Sequence, residues 1–286
     1  MVLAYSVAMS DLIVSLTSTP PRFPFLRSAL EQFLCQTAPV AEVRLNIPRS
    51  YRRFGPCTSL PDVPKGVRIV RTEEDFGPAS KVLPTVFDHR GQDVEILFCD
   101  DDEEYDPEWA GRFLASRAQH PKAAIVGKGY HLASLRGYHL KTGAAFQPRA
   151  QRGNKVIYGL YHLATGFRRK LGYFRRPGFV DILEGYRGAL VRPEFFPPDA
   201  ALIPPDLWLV DDPWLSGQMM RLGVPIWAMA GLPSRAMGIG AAQEVPLRRL
   251  VHNGKGRRAL DIACINHLRE TYGIWPEDGA RNTGKA

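Results

Sequence analysis

Short runs of β-branched and apolar residues alternate with segments whose apolar side chains recur at helical spacing. Asp11-Leu-Ile-Val-Ser-Leu predicts a buried strand that Thr17-Ser18-Thr19-Pro20-Pro21 ends. Phe25, Leu26, Ala29, Leu30, Phe33 and Leu34 then share one helical face. Glu42 to Ile47 predicts a second strand with Val43, Leu45 and Ile47 turned inward, followed by a loop over 48–65. Further strands are predicted at Val67–Val70, Val94–Cys99 and Ala123–Val126, and helices at Pro78–Phe87 and Pro107–Ala118.

Strands and helices alternating in this way predict an α/β fold, a mostly parallel central sheet flanked by helices on both faces. The rhythm fails after Lys128. Residues 129–178 are rich in Gly, Tyr, His and Arg, and are expected to be an insertion or a pair of strands with a long connection. Order returns over Ile182–Val191, with a helix predicted at Leu207–Leu222, a strand at Pro225–Met229 and a closing helix at Asp261–Tyr272. The expected organisation is one domain in three segments: 11–128, a basic insertion or mobile loop over 129–180, and 181–286.

Composition agrees with a globular chain: of 286 residues, 45% are apolar and 23% charged. No apolar run approaches the ~20 residues of a membrane-spanning helix, and the first residues lack the basic start of a secretory signal. Cys35, Cys57, Cys99 and Cys264 have no CxxC-type neighbours, which argues against zinc or a disulfide framework and fits a reducing cytoplasm.

Charge changes the picture more. The net charge is +8, yet Trp109 to Val180 contains no Asp or Glu and 14 Lys and Arg, so the rest of the chain is mildly acidic. Such a segment faces phospholipid, nucleic acid or a phosphorylated substrate, or is simply a solvated basic face. Within it, Ile157, Leu160, Tyr161 and Leu163 fall near one helical face with basic flanks. That pattern suits an anionic membrane surface; the same charges also suit an acidic acceptor.

The candidate chemistry lies in carboxylates. Asp100-Asp101-Asp102 follows a buried strand, at the strand end where open α/β sheets bind ligands. Three adjacent carboxylates repel one another, and Mg²⁺ or Mn²⁺ shared with substrate phosphates relieves that repulsion. Strand alternation points Asp100 and Asp102 the same way and Asp101 away from them. Asp211-Asp212 opens a second motif ahead of a helix, where a single acid suffices for capping. Lys81 follows Gly77-Pro78-Ala79-Ser80 at a predicted helix start, a place for a phosphate, and Arg22 sits beside the Thr17-Ser18-Thr19 loop within reach of base or phosphate. Asp75 suits a ribose contact or a turn.

These pieces resemble glycosyltransferases of the GT-A fold, in particular bacterial polysaccharide and lipopolysaccharide enzymes with a DxD motif. The resemblance runs in order through Ile13-Val-Ser-Leu-Thr-Ser-Thr-Pro-Pro-Arg, Asp75-Phe-Gly-Pro-Ala-Ser-Lys, Ile96-Leu-Phe-Cys-Asp-Asp-Asp, Glu184-Gly-Tyr-Arg-Gly-Ala and Val210-Asp-Asp-Pro-Trp, covering about residues 12–228. It implies a metal-dependent hexosyl transfer from a nucleotide-sugar, with UDP the most frequent nucleotide of the superfamily, to a glycan or lipid-linked glycan. It implies a donor-binding first segment and an acceptor-binding last segment, in an enzyme of the cytoplasm working at the inner face of the membrane, without nucleic acid as partner.

By residue, the resemblance implies Asp102, Asp100 and a C-terminal His252 at Mn²⁺ or Mg²⁺. Thr17, Ser18, Thr19, Arg22, Asp75, Lys81, Asp100 and Asp101 then lie on the donor, and Gly185, Tyr186, Arg187, Gly188 and Trp214 on the acceptor. Asp212 is the general base of an inverting transfer and Asp211 orients the acceptor. Two other classes remain open from sequence. A nucleotidyltransferase shares the sheet and the metal carboxylates, although Thr-Ser-Thr-Pro-Pro-Arg lacks the glycines of its usual phosphate loop. A basic nucleic-acid-binding module would stack bases on the tyrosines and phenylalanines of the basic segment.

Overall fold

A computed structural model describes residues 11–135, 146–153, 173–232, 235–236, 250 and 254–276. Its central sheet has eight strands: β1 (Asp11–Thr17), β2 (Glu42–Pro48), β3 (Val67–Thr72), β4 (Val94–Phe98), β5 (Ala124–Val126), β6 (Gly178–Val180), β7 (Ala189–Val191) and β8 (Ile226–Ala228). The spatial order is β6-β8-β5-β7-β4-β1-β2-β3. Strands β3, β2, β1 and β4 run parallel, as do β5 and β8. β7 lies antiparallel between β4 and β5, and β6 closes one edge antiparallel to β8.

Helices cover both faces: α1 (Leu26–Leu34), α2 (Leu83–Asp88), α3 (Trp109–Gln119), α4 (Asp212–Arg221) and α5 (Arg257–Tyr272). The pleat of β4 divides the core between them. Ile96 and Phe98 join α2 and α4 in one cluster, while Leu97 and Cys99 join Leu30 and Phe33 of α1 and Trp109 and Phe113 of α3 in the other. A third cluster packs α4 on α5 through Trp214, Leu260, Cys264 and Leu268. Full burial of such side chains contributes about 1.5–3 kcal/mol each. This α/β sandwich is the fold class expected from the alternation.

Four local expectations change. β2 is buried on both faces, because it lies between β1 and β3 under helices, so Arg44 and Asn46 are buried along with Val43, Leu45 and Ile47. Their polarity is satisfied in a ladder: Arg44 Nε donates to Asn46 Oδ1 at 2.8 Å, Asn46 donates to Thr85 Oγ1 at 3.0 Å, and Ser15 Oγ donates to the Lys81 carbonyl at 2.7 Å. The helix predicted at 78–87 is a 3-10 turn, Gly77–Lys81, followed by α2, because Pro84 has no amide to continue the hydrogen-bond ladder. The helix predicted from Leu207 starts at Asp212, because the Pro213 ring excludes a helical carbonyl four residues earlier. α5 begins at Arg257 rather than Asp261, with Gly256 in extended conformation at its N-cap.

The described ends of the basic segment are short strands tied to the body. Gly129–Tyr130 pairs with Ile182–Leu183, and Gln151–Arg152 with Phe174–Arg176. The amphipathic stretch at 157–163 lies outside the described residues. Among the described residues, no helix is long and apolar enough to cross a membrane. Away from the strand ends, Glu95 is buried between Arg117 Nε (2.9 Å) and Arg192 Nε (2.7 Å), a compensated trio that fastens α3 to the sheet.

Candidate active site

One end of the sheet gathers both acidic motifs. β1 and β4 are parallel, so Thr17 and Asp100 leave the sheet on the same side. β7 runs the other way, so the turn before it, Gly185–Arg187, also sits there, and the first turn of α4 completes the group. Gly185 N–H donates to Asp212 Oδ1 at 2.9 Å, which joins the turn to the helix start.

On one side of the cleft, the loop after β1 holds the acidic cluster. Ser18 Oγ donates to Asp101 Oδ2 at 2.5 Å, and Arg22 Nη2 lies 2.6 Å from Asp101 Oδ1 and 3.3 Å from Asp102 Oδ2. Asp101 therefore turns onto the first loop and is almost fully buried; Asp102 is the most accessible member, its side chain 44% exposed against 36% for Asp100. Thr17 Oγ1 donates to the Asn46 carbonyl at 2.7 Å, and the Thr19 carbonyl accepts the Arg22 amide at 2.9 Å. Asp75 takes the turn role, accepting the amides of Gly77 and Arg52, both at 2.8 Å.

Lys81 is placed differently from the phosphate contact expected of a helix start. Its ammonium is buried, 2.7 Å from Asp100 Oδ1 and 2.8 Å from Asp211 Oδ2, so it bridges the two motifs. Burial favours loss of its proton, but Asp100, Asp211 and Asp212 outweigh burial and hold it charged. Gly185 is glycine for this reason: a Cβ there would lie 3.2 Å from Lys81 Nζ and 2.8 Å from the Phe98 ring.

Arg257, which the sequence reading missed, supplies the second cation. It lies 3.1 Å from Asp211 Oδ1, 3.9 Å from Asp212 Oδ2 and 3.1 Å from Asp261 Oδ1. Its spacing to Asp261, four residues on, was the available signal. The two adjacent acids are driven apart by this setting. Burial would raise Asp211, but Lys81 and Arg257 outweigh it and keep Asp211 ionised. Asp212 is raised well above the usual carboxylate range, by burial and then by the Asp211 charge.

Two acceptor assignments are corrected. Trp214 is fully buried, its indole N–H bonded to the Ala200 carbonyl at 2.8 Å, so it belongs to the α4–α5 core and not to a ligand surface. Gly188 does not make room for sugar: its φ is +99° and a Cβ would lie 2.6 Å from Trp109. Tyr186 remains partly exposed, its carbonyl held by Tyr105 Oη at 2.8 Å. Arg187 is buried beside it, and its carbonyl accepts the Trp109 indole N–H at 3.2 Å. His252 lies outside the described residues.

Asp102 is raised by burial and then by the Asp100 charge, and Asp101 is raised to about 6 by burial despite Arg22 and Ser18. Both also face cations: Arg22 lies against Asp101 and Asp102, and Lys81 against Asp100. Among the described residues, no group of three or more His, Cys, Asp or Glu is arranged for a metal. Asp100 and Asp102 are the two carboxylates of the cluster with exposed side chains.

No protein-family model and no curated protein matches the chain. Similar solved structures include 2-C-methyl-D-erythritol 4-phosphate cytidylyltransferase from Thermus thermophilus, 14% identical, covering 91% of this chain and 100% of that one at a TM-score of 0.39. S. aureus TarS 1-349 is 10% identical, covering 92% of this chain and 72% of that one, also at a TM-score of 0.39.

Proposed function

We propose that the chain is a metal-dependent glycosyltransferase moving a hexosyl group from a nucleotide-sugar, UDP being the first nucleotide to test, to a glycan or lipid-linked acceptor. The observation that carries this reading is the Lys81 bridge from Asp100 to Asp211, which ties the strand end bearing the exposed Asp102 to the helix start bearing Asp212, a carboxyl raised above its usual range. Asp100 and Asp102 would hold Mn²⁺ or Mg²⁺, which when bound neutralises the donor diphosphate and favours its departure. Ser18 and Arg22 fix the donor-side loop against Asp101. Gly185 N–H holds Asp212 Oδ1, leaving Oδ2 to take the acceptor hydroxyl proton as the oxygen attacks the anomeric carbon. Lys81 and Arg257 keep Asp211 ionised, and that charge sustains the basicity of Asp212.

Two features disfavour the other classes. A nucleotidyltransferase phosphate loop needs a free cation after the first strand, and Arg22 is engaged by Asp101 and Asp102. A nucleic-acid module leaves this acidic cleft without a purpose. Cytoplasmic location and work at an anionic membrane surface belong to the same proposal. A nucleotide-sugar panel with Mn²⁺, scored by thermal stabilisation and donor hydrolysis, tests it. Stabilisation by a UDP-sugar that depends on metal supports the reading; stabilisation by oligonucleotides alone overturns it.

A further inference from the structure

Beside the carboxylates runs a second feature with a different chemistry. Arg187 is 7% exposed, and its Nε and Nη1 are buried with no hydrogen-bond partner among the described residues. A guanidinium is always charged and presents a fixed fork of donors that fits a carboxylate or a phosphate. Burying such donors unpaired is costly, so a ligand that completes them is the natural complement. The backbone that carries it is rigid, pinned at the Tyr186 and Arg187 carbonyls by Tyr105 and Trp109.

Arg187 is also the inner end of a ladder of alternating cations and rings. Its Cζ lies 5.6 Å from the Tyr186 ring centroid, and Lys128 Nζ lies 4.8 Å from that ring and 4.7 Å from the ring of Tyr173. Arg152 Cζ follows, 4.8 Å from Tyr173. Among the described residues, one acid contacts these cations: Glu184, 3.0 Å from Lys128. The inner end lies two residues along the chain from Gly185, whose amide holds Asp212, the proposed base. The outer end lies on the strand pair at the base of the acid-free segment.

We propose that Arg187, Tyr186, Lys128, Tyr173 and Arg152 form a track for an anionic glycan acceptor, with Arg187 as the seat for one carboxylate or phosphate group. This deepens the proposed function and rests on it for the word acceptor. Saccharide rings meet the two tyrosines, and acidic substituents meet the cations between them. Both substituents share the chemistry of a compact oxyanion, and the test separates them.

The test is calorimetric titration of the full chain with three tetrasaccharides: one of galacturonic acid, its neutral galactose counterpart, and a galactose tetrasaccharide bearing phosphate. At least one anionic ligand binds, and the neutral one binds at least about tenfold more weakly, the scale of one lost charge-assisted hydrogen bond. Arg187→Met lowers anionic affinity at least about tenfold and leaves the melting temperature unchanged or raised, because a matching apolar side chain removes an unpaired buried charge. Lys128→Met gives a smaller loss in the same direction. The track is overturned if neutral and anionic ligands bind equally or none binds. It is also overturned if Arg187→Met destabilises the fold while anionic affinity persists, or if the protein pellets with anionic vesicles but binds no saccharide. UDP with Mn²⁺ is titrated into the same samples. Saccharide binding without UDP binding keeps the track and sinks the glycosyltransferase reading; the reverse sinks the track alone.

Discussion

The Lys81 ammonium lies 2.8 Å from the Asp211 carboxylate, and each side chain is 4% exposed. The two residues come from the turn after β3 and the start of α4, so one buried ion pair fixes the distance between the halves of the cleft. Removing one partner of such a pair leaves a buried charge uncompensated. Lys81→Met is therefore expected to destabilise the protein by about 3–5 kcal/mol in chemical denaturation. Lys81→Met combined with Asp211→Leu should recover much of that loss without recovering transfer. A double variant no more stable than the single one would show that the pair is not the unit.

Asp212 gives the reaction its pH dependence. Burial, and then the Asp211 charge, raise its carboxyl, so at acidic pH it holds a proton and is useless as a base. Turnover should rise with pH along a limb lying above the ordinary carboxylate range. Asp212→Asn should cut turnover by roughly 10²–10⁴-fold and abolish that limb, with donor affinity nearly unchanged. The stability linkage has the opposite slope. A carboxyl whose folded pKa is raised binds its proton more tightly when folded, so its contribution is full below the unfolded pKa and is lost as pH rises through the folded one. Thermal melts of the two proteins between those values should differ accordingly; parallel pH profiles would remove Asp212 from the role.

Most of the central sheet is legible because its period is short and its burial strong: Ile96-Leu-Phe-Cys reads as a strand wherever it is placed, and every one of those side chains is fully buried, whereas the edge strand Gly178–Val180 falls in the segment read as an insertion. Helix limits were less legible, because Pro84 and Pro213 decide them through missing amides and ring clashes that an apolar count does not register. The acidic motifs are legible as clustered carboxylates, whereas the cations that hold them are not. Lys81 reads as a phosphate ligand from sequence because only the tertiary fold brings Asp211 to it. Arg257 lies far along the chain from either motif, so spacing alone does not connect it to them. Trp214 neighbours the paired acids in sequence, while its neighbours in space are Leu260 and Leu268.

Gly188 tests that distinction between packing and binding. Its φ of +99° disfavours any side chain, and an added Cβ meets the Trp109 and Phe113 rings at 2.6 and 2.9 Å. Gly188→Ala should lower stability by roughly 1–3 kcal/mol through strain and overpacking, measured by chemical denaturation. Acceptor affinity per folded molecule should hold. A variant of normal stability with weakened acceptor binding would restore Gly188 to the binding surface.

Asp102 carries the metal prediction. Its carboxylate is the most exposed of the acidic cluster, and its main protein contact is Arg22 at 3.3 Å, so truncation removes little packing. Asp102→Ala should fold with a melting temperature near that of the parent and lose metal-dependent binding of UDP in calorimetry. The parent should lose the same binding when the metal is chelated, and added Mn²⁺ should restore it in the parent but not in the variant. Asp101→Ala behaves differently if the assignment holds: Asp101 is buried against Ser18 and Arg22, so its loss should first lower stability and loosen the β1 loop. Undiminished UDP–Mn²⁺ affinity in Asp102→Ala would take the cation away from this strand end and, with it, the donor half of the proposed mechanism.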